Sequence, residues 1–304
     1  MSTIPLVSIV TPSLNQGRFI QATIESVLQQ SYPRIEYIVI DGGSTDGTVD
    51  ILKSYGDQFH WISERDYGQA HAINKGMDLA TGTIAGWLNS DDILLPGAID
   101  RVIDCFRNNS QLGMIYGKSH FIDETGKVVG RYPTEAFDFR RLAAFNFIPQ
   151  PSTFFIRDGF LQVGSLNPNL RYAFDLDLWL RLSTKFITNY LPAYLSGFRL
   201  HDTSKTVSPS HSLGNQKEGL DIALTYFNWA PLNRVYGYCF HLVRARLPKR
   251  IRSYRMFTRA FGLLITAAMY VKLNRRIHPE DVRALNISNL KKVGIPWKSI
   301  YRTY

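Results

Sequence analysis

The chain has 304 residues, of which 45% are hydrophobic, 13% aromatic and 20% charged. This composition excludes a disordered, collagen-like or coiled-coil protein and leaves room for one large or two ordinary domains with a sizeable core. Thirty-five Lys and Arg against 25 Asp and Glu give a formal charge of +10. The two cysteines, Cys105 and Cys239, cannot build a disulfide framework or a thiolate zinc site, which points to a reducing compartment.

In chain order, Leu6–Thr11 reads as a buried strand, Arg18–Gln30 as a helix and Glu36–Asp41 as a second strand stopped by Gly42 and Gly43. Asp46–Tyr55 follows as a short helix, Phe59–Ser63 as a third strand, Gly68–Ala80 as a helix and Thr83–Leu88 as a fourth strand. Strands alternating with helices imply right-handed crossovers and a mainly parallel sheet, so the fold class is α/β. Further on, Pro96–Asn108 is expected to be a helix, and Gly113–Ile122 and Val128–Tyr132 a pair of strands across the turn Asp123–Lys127. Phe174–Thr184 has the spacing of an amphipathic helix, and Phe186–Asn189 and Tyr194–Leu200 read as two separate strands. From about Asn215 the chain is helical and basic, with interruptions at Pro231 and Pro248. The expected division is an α/β domain over 1–214 and a basic helical extension over 215–304.

Ligands of open α/β sheets bind beyond the carboxyl ends of the strands. The first strand leads into Thr11-Pro12-Ser13-Leu14-Asn15, the second ends on Asp41 and a Gly-Gly-Ser-Thr-Asp-Gly loop, and the fourth runs into Asn89-Ser90-Asp91-Asp92. Neither GxGxxG after the first strand nor GxxxxGK[ST] occurs anywhere, so phosphates need another partner. Asp91 and Asp92 can hold a hard divalent cation that bridges phosphate oxygens; the same four residues could equally form a turn and cap the next helix.

The strings VSIVTPSLNQGRFIQATIESVLQQSYPRIEYIVIDGGSTDGT, DYGQAHAINKG and GWLNSDD closely resemble the family 2 glycosyltransferases over residues 6 to about 205. The resemblance implies the GT-A fold, inverting sugar transfer from a nucleotide-sugar donor to a glycan or lipid-linked acceptor, and a divalent cation, Mn²⁺ or Mg²⁺. It places Thr11, Pro12, Ser13, Asn15 and Asp41 around the base and ribose, with Asp41 accepting from the N3–H of uracil, so that UDP is the expected nucleotide. Asp66, Asn74 and Lys75 fall in a second donor-binding segment. In the family's D-x-D element Asn89 stands at the first carboxylate, Ser90 follows, and Asp91 matches the metal-binding carboxylate, with Asp92 beside it. Aligned on Asp-Leu-Trp-Leu-Arg, the family's catalytic base is Asp175, with Phe174 where Glu usually stands and Asp177 at a helix N-terminus. Arg199-Leu200-His201 with Ser204 and Thr206 resembles an RxHxxSxT element whose histidine can complete a metal shell, and imidazole favours manganese.

The charge is unevenly placed. Residues 1–221 carry 19 basic and 23 acidic side chains, whereas 222–279 hold eleven Lys or Arg and no Asp or Glu. Apolar runs flanked by Arg and Lys there suit an anionic membrane surface, ordinary packing helices with solvated basic faces, or a nucleic-acid-binding surface; of the partners, nucleic acid is not expected. The longest apolar run, Ala260–Val271, falls short of the ~20 residues needed to cross a bilayer, and MSTIPLVSIVTP does not read as a signal peptide. The expected location is cytoplasmic, peripheral on the inner face of the membrane. A nucleotidyltransferase acting on sugar phosphates shares the Asp-metal logic, but Thr11–Asn15 lacks the Gly-rich basic loop such enzymes need.

Overall fold

A computed structural model describes residues 4–109, 111–205, 211–248 and 255–284. Contacts divide the chain into two units, the first comprising residues 1–137 and 147–201 and the second residues 138–146 and 202–304.

The first unit opens with β1 (Val7–Ser13), α1 (Ile20–Leu28), β2 (Ile35–Asp41), α2 (Thr48–Ser54), β3 (His60–Ser63), α3 (Gln69–Leu79) and β4 (Ile84–Trp87). The expected alternation is present, each element within a few residues of its apolar run. It continues with β5 (Ile93–Leu94), α4 (Ala98–Asn108), β6 (Leu112–Ile122), β7 (Val128–Arg131), β8 (Thr153–Ile156), α6 (Arg157–Val163), α7 (Phe174–Lys185) and β9 (Ile187–Arg199). A four-residue helix, α5 (Arg141–Ala144), precedes β8 in the chain and belongs to the second unit.

The nine strands form one sheet in the order β3-β2-β1-β4-β8-β6-β9-β5, with β7 on β6. β3, β2, β1 and β4 are parallel, β8 runs antiparallel between β4 and β6, and β9 is parallel to β6. Strand order reverses between β1 and β4, which makes their carboxyl ends the switch point at which such sheets bind ligands. One face of the sheet packs Ile9, Val39 and Phe154 against Ile24, Ile99 and Val102 of α1 and α4. On the other face α3 comes so close that a side-chain carbon at Gly76 would collide with Val10, so glycine at 76 sets the spacing of helix and sheet.

One expectation is corrected. Residues 187–199 are a single 13-residue strand and not two, because Pro192 does not end pairing: the register steps from Gly117↔Leu191 to Lys118↔Tyr194, leaving Pro192 in a bulge that needs no N–H. Gly117 admits the bulge, since a Cβ there would lie 2.8 Å from the carbonyl oxygen of Ala193.

The second unit contains α5, α8 (Ser212–Phe227), α9 (Leu232–Arg246), α10 (Arg255–Asn274) and α11 (Pro279–Ala284). Its core joins Leu220, Val235, Cys239 and Tyr270. Asp281, buried at the start of α11, accepts hydrogen bonds from Trp229 Nε1 (2.9 Å), Tyr270 Oη (2.6 Å) and the Leu232 N–H (2.8 Å), which satisfies a buried carboxylate and ties three segments together.

Candidate active site

Two loops at the switch edge are laced into one surface. β1 ends on buried Thr11, Pro12 and Ser13; Thr11 Oγ1 accepts from Tyr37 Oη (3.1 Å), and the Ser13 carbonyl accepts from the Gly42 N–H (2.8 Å). The hydroxyl of Ser13 is buried and has no partner among the described residues. Asn15 takes the left-handed conformation (φ 53°), tolerable for asparagine, and from there its N–H donates to Ser44 Oγ (2.7 Å) while its Oδ1 accepts from the Thr45 N–H (2.9 Å).

Asp41, fully buried at the end of β2, accepts through Oδ2 from the N–H groups of Gly43 (3.1 Å) and Ser44 (2.9 Å) and from Ser63 Oγ (2.7 Å), and through Oδ1 from Ser44 Oγ. Four protein donors therefore use most of its capacity, and Oδ1 keeps one acceptor position. Asp66 lies against this loop: a Cβ on Gly42 would come within 2.6 Å of Asp66 Oδ2, and Asp66 Oδ1 accepts from the Gly68 N–H (2.8 Å). Asn74 and Lys75, on α3, have other contacts. The amide of Asn74 pairs both ways with the backbone of Leu166 (2.9 Å each), and Lys75 forms an ion pair with Glu64 (2.5 Å).

β4 delivers Asn89, Ser90, Asp91 and Asp92 to the same edge. Asn89 is held in a directional amide chain in which Gln69 Nε2 donates to Asn89 Oδ1 (2.7 Å) and Asn89 Nδ2 to Gln150 Oε1 (2.9 Å). Gln150 Nε2 in turn donates to the carbonyl of Trp87 (2.6 Å), which fixes which end of the Gln150 amide faces Asn89. Ser90 is buried. Asp92 is buried too, with Oδ1 accepting from the Arg199 N–H (2.8 Å); its burial, and then the neighbouring Asp91 charge, push its carboxyl well above the usual range.

Asp91 is half-buried, and its Oδ2 lies 2.9 Å from Nε2 of His201, a residue 5% exposed. Arg199 brings the two together. Its Nε donates to the Asp91 carbonyl (2.7 Å) and its Nη1 to the carbonyls of Asp123 and Glu124 (3.0 Å each), while the guanidinium stands over the Phe19 ring, against which His201 also packs. Burial draws the Arg199 pKa down although Asp92, Asp91 and Asp123 oppose it.

α7 is seated beside this loop by Trp87, the last residue of β4, which stacks on Trp179 (5.1 Å between centroids) and meets Phe174 (6.5 Å). Phe174 is buried in that aromatic contact, where a glutamate would lack its solvation. Asp175 follows, half-buried in the first helical turn, with Oδ1 accepting from the Leu176 N–H (2.7 Å). Asp177 is paired with Arg181 (2.9 Å), whose guanidinium also donates to the carbonyls of Val163, Gly164 and Ser165. Its surroundings are those of a structural anchor between α6 and α7.

Among the described residues no group of three or more His, Cys, Asp or Glu side chains closes around a metal position. The donor set nevertheless suits a divalent cation: a carboxylate oxygen and an imidazole nitrogen converge, leaving other coordination positions to phosphate oxygens and water. Gln69 and Gln150 were not singled out by sequence. Gln150 lies between two prolines and belongs to no motif; only its contacts with Trp87 and Asn89 reveal it.

Residues 8–163, just over half of the chain, match the family model described as Glycosyl transferase family 2. Chondroitin synthase of Escherichia coli is 30% identical over 187 residues, 60% of this chain and 27% of its own. The chain spans less than two thirds of the length of several of the curated relatives it matches. Among solved structures, S. aureus TarS 1–349 in complex with UDP-GlcNAc superposes with a TM-score of 0.57 at 14% identity, covering 94% of this chain and 85% of that one. The mannosyltransferase PcManGT from Pyrobaculum calidifontis, in complex with GDP-Man and Mn²⁺, gives 0.57 at 14% identity over 99% and 86%. At such identities the likeness establishes the fold, GT-A, which agrees with the sheet described above. The family match and the motif-bearing loops at the switch point make this chain a member of glycosyl transferase family 2.

Proposed function

We propose that the chain is an inverting glycosyltransferase that moves a sugar from a UDP-linked donor to a glycan or lipid-linked acceptor in cell-surface polysaccharide synthesis. The observation that carries this is the meeting of Asp91 and His201, 2.9 Å apart, at the switch point beside the laced loops of Thr11–Asn15 and Asp41–Asp46. The relation to chondroitin synthase supports the polymer class, and the UDP-GlcNAc held by TarS supports the nucleotide.

In this reading the base and ribose lie against the laced loops of Thr11–Asn15 and Asp41–Asp46. Asp91 and His201 would hold a divalent cation, and Asp92, buried behind them, fixes the backbone of Arg199. Such a cation, when bound, offsets the charge that builds on the departing nucleotide. Asn89, fixed by Gln69 and Gln150, keeps one acceptor position on Oδ1 for a ribose hydroxyl. The acceptor hydroxyl attacks the anomeric carbon from the face opposite the diphosphate; the new C–O bond forms as the bond to the phosphate oxygen breaks, and the hydroxyl proton passes to Asp175. One displacement inverts the anomeric centre and needs no covalent enzyme intermediate.

The test is a panel of UDP- and GDP-sugars assayed for transfer and for slow donor hydrolysis with Mn²⁺. Wild type is expected to consume a UDP-sugar, Asp91→Ala to lose donor turnover, and Asp175→Asn to bind donor normally but transfer at least 100-fold more slowly, the order expected for removing a general base. Full transfer by Asp175→Asn would remove the base assignment, and turnover of GDP-sugars alone would replace the nucleotide.

A further inference from the structure

The second unit carries a helix that is apolar on two opposite faces. One side of α10 (Ile265, Thr266, Met269, Tyr270 and Leu273) packs into the core of this unit, against Val235 and Cys239 of α9. The other side carries Leu263, Leu264, Ala267, Ala268 and Val271, all exposed, with Leu264 70% and Val271 65% accessible. Their spacing of 1, 3, 1 and 3 residues places them on one stripe of the helix. A helix packed on one side against its own core ordinarily turns polar residues to water, so a continuous apolar outer stripe needs a partner.

The charge around the stripe indicates which partner. Exposed Arg259 precedes it, and exposed Lys272, Arg275 and Arg276 follow it. No Asp or Glu occurs from Ile222 to Pro279. Among the described residues no helix is long and apolar enough to cross a membrane, so α10 is not a span.

We propose that the outer stripe of α10 docks on an anionic lipid surface, with Leu263, Leu264, Ala267, Ala268 and Val271 entering the headgroup–acyl boundary and Arg259, Lys272, Arg275 and Arg276 meeting lipid phosphates. Apolar burial and attraction to anionic headgroups reinforce one another in such interfacial helices, so binding requires both. A pure charge patch, as a nucleic-acid surface would be, has no use for the leucines.

Flotation of the full chain with vesicles of phosphatidylcholine alone, and of phosphatidylcholine with 30% phosphatidylglycerol, tests this at 0.1 M and 0.5 M salt. The wild type is expected to float with the anionic vesicles and not with the neutral ones, less so at high salt. The double variant Leu263→Glu/Leu264→Glu is expected to lower the partition coefficient at least tenfold, and Lys272→Glu/Arg275→Glu to do the same at 0.1 M salt. Both pairs are solvent-exposed, so unchanged melting and UDP binding serve as the control that the variants fold. Three results would overturn the proposal: wild type left in the soluble fraction with both vesicles, undiminished flotation of the leucine variant, or a concentration-dependent dimer in sedimentation that the leucine variant abolishes, which would assign the stripe to a second copy of the chain. Binding to single-stranded DNA with the same affinity in the leucine variant, and none to vesicles, would likewise replace lipid by nucleic acid. None of these readouts depends on sugar transfer, so the docking proposal and the proposed activity fail separately.

Discussion

Replacing Asn89 by aspartate restores the carboxylate usual at this position in the family, yet the geometry predicts that it harms this protein. Gln150 is oriented by its donation to the Trp87 carbonyl, so Gln150 Oε1 faces position 89 and needs a donor there. In Asn89→Asp a carboxylate oxygen replaces Nδ2 at 2.9 Å from Gln150 Oε1 and 3.4 Å from Asp92 Oδ2. Both hydrogen bonds of Nδ2 are lost, three acceptor atoms are brought together, and a charge is added next to Asp91 and Asp92. Leaving a buried acceptor unmet costs about 1–3 kcal/mol, and with the added charge the expected loss is about 2–4 kcal/mol. For a unit of this size that lowers Tm by roughly 5–12 °C. The sign of the pH dependence also follows. The introduced carboxyl has a raised folded-state pKa, so its deficit is full at neutral pH and shrinks as acid protonates it and lets it donate to Gln150. Thermal unfolding of both proteins between pH 7.5 and 5 measures this. An Asn89→Asp variant as stable as wild type at pH 7.5, or a deficit that grows on acidification, would refute the reasoning.

Gly76→Ala should lower stability by about 1–3 kcal/mol, read by urea unfolding, because its Cβ meets Val10 between α3 and the sheet. Arg199→Ala should weaken UDP binding in calorimetry at least tenfold, since the loop of Asp91 loses its tie to the turn at Asp123 and Glu124; Arg199→Lys, a point charge that cannot make these divided contacts, should recover only part of it. At Glu36 burial pushes the carboxyl up, but donors from Ser8, Thr81 and Gly82 outweigh it and hold the pKa below its ordinary value. The stability this provides is present above the unfolded-state pKa of about 4.3 and lost as pH falls through the folded-state value. The Tm difference between wild type and Glu36→Gln should therefore narrow from pH 6 to pH 3, and a constant difference would contradict it.

The parallel half of the sheet was legible because its strands are mainly apolar runs closed by glycine or polar residues, as in Glu36–Gly43, and the first three are each followed by a helical period. The mixed half was harder. The two strands expected at Phe186–Asn189 and Tyr194–Leu200 are one, continued through the bulge at Pro192 opposite Gly117, and β5 is two residues long, too short to carry a period. β8 and α6 share the stretch Thr153–Val163, where the three-residue apolar run Phe154–Ile156 meets a short helix with Gly159 inside it, and neither shows a full period of its own.

At the site, Asp91 and His201 could be named from motifs, but their contact depends on Arg199, whose side chain and backbone reach the loop of residues 91–92 from the far end of β9. The alignment on Asp-Leu-Trp-Leu-Arg already distinguishes the two Asp residues of α7, whereas the ion pair that ties Asp177 to Arg181 is visible only in the structure. Asp41 shows the limit from the other side. A carboxylate at a strand end was visible, whereas the four protein donors around it arise from how the following loop folds back on Ser63.

The central claim is that the donor diphosphate is held at Asp91 and His201, and the most direct measurement is calorimetric titration of UDP with and without Mn²⁺ into wild type and Asp91→Asn. Mn²⁺ is expected to strengthen UDP binding at least tenfold in wild type and to leave it unchanged in Asp91→Asn. An equal gain from Mn²⁺ in both proteins would place the diphosphate elsewhere and contradict it.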